Sequence, residues 1–176
     1  DLMQRYEQKV IESGTDFSTN PSPGNIKDGL ITDAMKSAGA AKKGGTSPVV
    51  DVLDYGEYIQ NSGLNLLCTP GNDVESTTAM AGSGANLIIF TTGLGTPTGN
   101  PIAPVIKISS NTSVFRKMSD IIDFNSGSVV EGKQTMESLS TELLDYIIQV
   151  ASGEIKTKSM ENRQYDFLPW KRDISL

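Results

Sequence analysis

"LIIFTTGLGTPTGNPIAPVIKISSN", Leu87 to Asn111, is the stretch on which the reading of the fold turns. It begins and ends with short apolar runs, Leu87–Phe90 and Val105–Ile108, of the kind that forms strands buried on both faces of a sheet. Between them Thr91–Pro101 is made almost wholly of Thr, Gly, Pro and Asn. A plain turn takes about two to five residues. This segment is longer, and its glycines repeat. It is either a long surface loop or a wrap of backbone amides and hydroxyls around something small and polar.

Working outward, Leu2–Ser13 reads as a helix with Leu2, Met3, Tyr6, Val10 and Ile11 on one side and Gly14 as its stop. "TNPSPGN", Thr19–Asn25, reads as a rigid loop or linker. Leu30–Ala41 reads as a short helix ended by "KKGG". Val49–Leu53 and Leu64–Cys68 are candidate strands. Asp73 is a suitable N-cap for a helix over Val74–Ser83. Met136–Ala151 has the strongest helical spacing, with Met136, Leu139, Leu143, Ile147, Val150 and Ala151 in phase and Gly153 as its stop. The order strand, helix, strand, loop, strand, helix indicates an α/β fold: a mostly parallel sheet flanked by helices, Rossmann-like and three-layered. Residues 1–155 read as one α/β domain. Residues 156–176 read as an extended C-terminal arm that packs on the domain or on a neighbour.

Ligands of parallel α/β sheets sit outside the carboxyl ends of the strands. Three expected strand ends carry polar text: "TPGND" after Leu64–Cys68, "TTGLGTP" after Leu87–Phe90 and "SSNTS" after Val105–Ile108. Parallel strands would bring these loops to one edge. Asn72 and Asp73 open a helix there, where an N-terminus can face a carboxylate as well as be capped. Thr91, Thr92 and Thr96 offer hydroxyls, and Gly93 offers an amide. Lys107 stands inside an apolar strand, either snorkelling from an edge or aimed as a cation or base at a substrate. Asn111 could bond a substrate hydroxyl. Asp123 and Asn125 in "IDFNSG" fit a turn equally well, and Cys68 reads as a small core residue.

Composition removes whole classes of chemistry. The net charge is −6, from 15 Lys+Arg against 21 Asp+Glu, which speaks against a nucleic-acid partner. No apolar run approaches the roughly 20 residues of a membrane span. The chain starts at Asp1 and is read as a piece of a longer polypeptide. One cysteine cannot form an internal disulfide and fits a reducing cytoplasm. Histidine is absent, so no Ser-His-Asp or Cys-His pair and no His-based metal site can be built from these residues. The "TTGLGTPTG" segment lacks the Gly-Lys-Ser/Thr ending of a phosphate loop and the third glycine of a dinucleotide fingerprint. What remains suits a polyhydroxylated acid.

"NPSPGN" at Asn20–Asn25, "KKGG" at Lys42–Gly45, "PVVDVLDYGE" at Pro48–Glu57, "PGND" at Pro70–Asp73, "FTTGLGTPTGNP" at Phe90–Pro101, "KISSN" at Lys107–Asn111, "IDFNSG" at Ile122–Gly127 and "VASGE" at Val150–Glu154 occur in this order. Together they closely resemble the C-terminal region of the altronate dehydratase/galactarate dehydratase (altronate hydrolase) family, over nearly the whole chain. The resemblance implies a lyase that dehydrates a sugar acid such as altronate or galactarate to a 2-keto-3-deoxy acid. It implies a divalent metal, Fe²⁺ or Mn²⁺, which other parts of the longer family chains could bind; metal ligands in this piece are unknown. In such chemistry a base removes the proton beside the carboxylate, the enediolate is stabilised by a metal or cations, and an acid helps the 3-hydroxyl leave. Lys107 and Asp73 are the expected catalytic residues. Asn25, Asn72, Thr91, Thr92, Gly93, Thr96 and Asn111 are the expected substrate contacts. Expected partners are the small sugar acid and the N-terminal remainder of the parent chain, with self-association left open. One departure is Met35, in "DAMKSAG", where family members commonly carry an acidic residue. Two other readings stand beside the dehydratase: a non-catalytic substrate-binding or oligomerisation module of the same enzyme, and a relative of the family's sulfolactate-cleaving branch.

Overall fold

In the structure, a computed structural model, residues 1–14, 26 and 32–170 are described. They fall into two compact units, Asp1–Cys68 with Trp170–Leu176, and Thr69–Pro169.

The first unit holds helix α1 (Leu2–Glu12), helix α2 (Asp33–Lys42) and the strands β1 (Val49–Leu53) and β2 (Leu64–Leu67). Thr32 caps α2, its side chain accepting from Met35 N. The β-branched run of β1 pairs in parallel with β2, Val52 opposite Leu66 and Leu53 opposite Leu67. Leu53 is buried at 2% exposure. The Trp170 ring stands edge-on to Tyr6 and Tyr55, with centroids 5.5 and 5.4 Å away. Tyr55 also takes the backbone N–H of Trp170 on its hydroxyl at 2.9 Å.

The second unit carries α3 (Asp73–Gly82), β3 (Ile88–Thr92), β4 (Val105–Ser109), α4 (Thr112–Lys117), β5 (Phe124–Asn125), α5 (Gly127–Val130), α6 (Met136–Ala151) and α7 (Lys158–Glu161). Its sheet has the order β3-β4-β5 and is parallel throughout. Strand alternation makes it the middle of three layers. Ile106 and Ile108 pack on one face with Val150, Leu143 and Ile147 of α6. On the other face Ile88 and Val105 pack with Met80 of α3. The α/β class with parallel sheets is the one expected from the sequence, and α6 has the expected bounds.

Several local expectations change. Strand β3 extends to Thr92, so Thr91 and Thr92 are strand residues and not the start of the loop. Helix α3 begins at Asp73 with Asn72 as its N-cap, the Asn72 side chain accepting from Val74 N and Glu75 N; Asp73 is therefore not the cap. Phe124–Asn125, in a stretch for which a turn was one of two open readings, pairs with the end of β4. The three expected strand ends do not share one sheet. β2 pairs with β1, whereas β3, β4 and β5 form a separate ladder. An apolar β-branched run states that a strand forms. Its partner is a tertiary choice that the run does not encode.

Candidate functional site

The carboxyl edge of the β3-β4-β5 sheet ends at Thr92, Ser109 and Asn125. Each strand end is tied to its neighbour. Ser110 N donates to Thr92 O, and Ser126 N to Ser109 O. The Asn125 Oδ1 accepts from Gly127 N at 3.0 Å and lies 3.4 Å from the Thr112 hydroxyl. Asn111 caps α4, its Oδ1 accepting from Ser113 N and Val114 N at 2.9 and 3.2 Å. Asn111 is exposed. Its acceptor is spent on the helix, which leaves its amide nitrogen as the donor it can offer outward.

From Thr92 the chain returns to the start of β4 through the crossover Gly93–Pro104. The first turn is shaped by Thr92, whose hydroxyl accepts from Gly95 N at 2.9 Å. Gly95 adopts φ +93, a conformation that favours glycine. Gly93 is exposed, and Thr91 is exposed while Thr92 is half-buried. Next the crossover dives. Thr96, Thr98 and Asn100 are 6%, 4% and 5% exposed. The Thr96 hydroxyl donates to Asp73 Oδ2 at 2.9 Å and shares a bond with the Thr98 hydroxyl. Asn100 Oδ1 accepts from Ile102 N and Ala103 N. The sequence-nominated Asn72, Asp73, Thr92, Gly93 and Thr96 are thus gathered where α3 begins and β3 ends, with Asn111 at the end of the adjoining strand.

Lys107 lies elsewhere. It is fully buried, on the same face of the sheet as Val105 and Ser109. Its Nζ donates to Pro97 O at 3.2 Å, to Thr98 O at 3.4 Å and to Gln164 Oε1 at 3.4 Å. These acceptors are neutral oxygens. Burial pushes the Lys107 ammonium below its ordinary pKa, with Asp123 and Asp166 pulling the other way. The lysine therefore holds the underside of the crossover. Asn25, the remaining nominated contact, lies outside the described residues.

Three further residues are central to this arrangement: Asp123, which the sequence left between a site and a turn, and Gln164 and Asp166, which it did not single out. The Asp123 carboxylate accepts from Lys107 N at 2.7 Å and from Lys158 N at 2.6 Å, joining β4 to α7. Burial pushes its pKa up, against the effect of those two bonds. Gln164 supplies an oxygen to Lys107, and Asp166 accepts from Gly99 N at 3.1 Å. The signal that favours the buried role of Asp123 over a turn is its place as an acid flanked by apolar residues in "IIDF". Gln164 and Asp166 sit in a polar tail with no local signal. Among the described residues no group of three or more His, Cys, Asp or Glu is placed to hold a metal ion. No described helix is long and apolar enough to cross a membrane.

Residues 1–175 match the family model described as D-galactarate/Altronate dehydratase, C-terminal. The chain is 41% identical over 155 residues to an altronate dehydratase of Bacillus subtilis (strain 168), covering 88% of this chain and 31% of that protein. It is 40% identical over 166 residues to the altronate dehydratase of Escherichia coli (strain K12), covering 94% and 32%. It is 38% identical over 157 residues to the galactarate dehydratase (L-threo-forming) of the same strain, covering 89% and 30%. The chain thus spans about a third of the length of these relatives.

Proposed function

The chain belongs to the D-galactarate/altronate dehydratase family, and from that premise we propose that it forms the C-terminal part of a sugar-acid dehydratase. The reaction is removal of water from an aldonate or aldarate, such as altronate or galactarate, to give the 2-keto-3-deoxy acid. The observation that carries the reading is identity near 40% sustained over about nine tenths of the chain. The edge geometry is compatible with it. Hydroxyls, amides and one exposed carboxylate converge at the ends of β3 and β4, a set matched to a hydroxylated acid.

In this reading Asn72, Thr91, Thr92, Gly93 and Asn111 contact the hydroxyl and carboxylate groups of the substrate. Asp73, exposed at the first turn of α3 and steadied by Thr96, is the carboxylate that exchanges a proton with the substrate. Thr96 is buried and serves that steadying role. Lys107 acts as a positioning residue, setting the level of the crossover from beneath. A divalent metal, Fe²⁺ or Mn²⁺, belongs to the same proposal, and its chemistry is to stabilise negative charge beside the substrate carboxylate. The described residues do not fit such an ion by themselves, since they include no cluster of three suitable ligands. The metal and its ligands are therefore assigned to the parent chain outside these residues. A cytoplasmic setting is part of the proposal.

The test is an assay of the full-length parent protein with Fe²⁺ or Mn²⁺ against aldonates, aldarates and sulfolactate. Formation of a 2-keto-3-deoxy acid from one sugar acid supports the reading. Pyruvate and sulfite from sulfolactate alone would replace it with the sulfo-lyase reading, and silence across the panel from metal-loaded protein would reject it. That the described residues include no such cluster also favours a second reading, in which this part binds substrate while another domain does the chemistry. Asp73→Asn separates the two: a loss of kcat supports the proton-exchange role, and a raised KM with kcat intact supports the binding module.

A further inference from the structure

Within the first unit, the β1-β2 ladder presents an apolar face to solvent. Val52 and Leu66 are register partners and lie side by side. They are 55% and 48% exposed. Val50, in the irregular part of the ladder, is 43% exposed. The other face carries Leu53, at 2% exposure, beside its partner Leu67. Parallel sheets are normally covered on both faces, and two strands alone have little independent stability. An exposed aliphatic face on a parallel pair is thus the mark of an element that packs against something more.

We propose that the Val52–Leu66 face is a docking surface for an apolar element of the same polypeptide lying outside these 176 residues. The relatives supply the reason for this occupant. The match covers only 30–32% of their lengths, and the matched family region is described as C-terminal, so most of each relative lies beyond it. Two aliphatic side chains and a flanking valine fall far short of the about 800 Å² per partner that a stable association between separate molecules takes. A segment of the same chain needs less, because its effective concentration is already high. Docking is by side chains on the face. The Val52 N–H already donates to Asp51 Oδ1 at 2.8 Å, and Asn61 Nδ2 holds the other Asp51 oxygen at 3.0 Å, which discourages addition of a strand at that point.

The inference rests on family membership and not on the proposed reaction, so an inactive protein could still confirm it. The experiment uses the full-length parent protein carrying the photo-crosslinker p-benzoyl-phenylalanine at Val52 and, separately, at Leu66. Isotopically heavy and light copies are mixed before irradiation, and linked peptides are identified by mass spectrometry. Same-label links to peptides outside the 176 residues are expected from both positions. Mixed-label links would assign the face to a second copy, and links confined to residues 1–176 would assign it to this region itself. Either result overturns the proposal, as does the absence of links from both positions in folded protein. Hydroxyl-radical footprinting of the unsubstituted protein gives an independent reading. Leu66 is expected to be labelled several-fold more slowly than Leu144, which is 56% exposed. Equal labelling would sink the idea.

Discussion

Lys107 shows what one residue can do without touching solvent. A cation inside an apolar strand suggests either an edge or a reactive group. Here its ammonium gathers two backbone carbonyls and a side-chain amide oxygen, and so fixes the path of the crossover. Lys107→Met fills similar space but leaves those acceptors without their donor. Each orphaned buried acceptor costs about 1–3 kcal/mol, offset in part by no longer burying a charge. We expect a net loss of about 1–3 kcal/mol in urea unfolding of the full-length protein; an unchanged midpoint would refute the assignment. Gly99 is constrained by space, since a Cβ there would overlap the Gln164 carbonyl and stand 2.9 Å from Ser159 Cβ. Backbone cannot yield as a side-chain tip can. Gly99→Ala should therefore cost at the upper end of the about 1–3 kcal/mol typical of overpacking, seen as a lower Tm.

Asp123 makes a pH prediction. Burial raises its carboxyl above the ordinary value of 3.8, so the folded state binds that proton more tightly than the unfolded chain. The stability from this protonation is fully present below 3.8 and is lost as pH rises through the raised folded value. Asp123→Asn cannot titrate. The Tm of the native protein minus that of Asp123→Asn should therefore fall with rising pH across that window. A pH-independent difference would show that the carboxyl is not shifted upward.

At the scale of elements, caps and turns set the candidate edge. Asn72 satisfies two of the donors that open α3, and through α3 it places Asp73 against Thr96. Asn72→Ala should cost about 0.5–2 kcal/mol, and Asn72→Asp should retain most of that stability. Thr92 shapes the first turn of the crossover through Gly95 N. Under the proposed function, Thr92→Val should raise KM several-fold, while Thr92→Ser, which keeps the hydroxyl, should not. A wild-type KM in the valine variant would remove Thr92 from the site. The sequence announced α6 by periodicity and β4 by an apolar run, and both formed. It displaced the α3 cap by one residue because Asn72 and Asp73 are both good caps; in the structure Asn72 caps the helix and Asp73 takes the Thr96 hydroxyl. It did not announce α4, α5 or α7, because helices of six, four and four residues are too short to show a period.

At the scale of the molecule, the second unit is closed by its C-terminal stretch. Lys158 N bonds Asp123, Ser159 Oγ bonds Val105 O, Gln164 bonds Lys107 and Asp166 bonds Gly99. Deleting everything after Ile155 removes all four contacts at once. The crossover Gly93–Pro104 should then become the first site of thermolysin cleavage in the full-length protein. Resistance equal to that of the intact protein would mean that the stretch is dispensable.

The sequence alone determined the longer elements and the chemical register of this protein. Apolar runs and helical phase reflect short-range burial, so they specify strands and helices locally. The ordered blocks specify the family, and the absence of histidine limits what these residues can catalyse. Only the tertiary structure decided which strands share a sheet, that the glycine-rich crossover turns inward after Gly95, and that Lys107 lies beneath it. Those outcomes depend on residues far apart in the chain, such as Lys107 with Gln164 and Gly99 with Asp166. Long-range pairing of this kind is fixed by the geometry and polar satisfaction of the assembled layers, and no local pattern in the chain carries it.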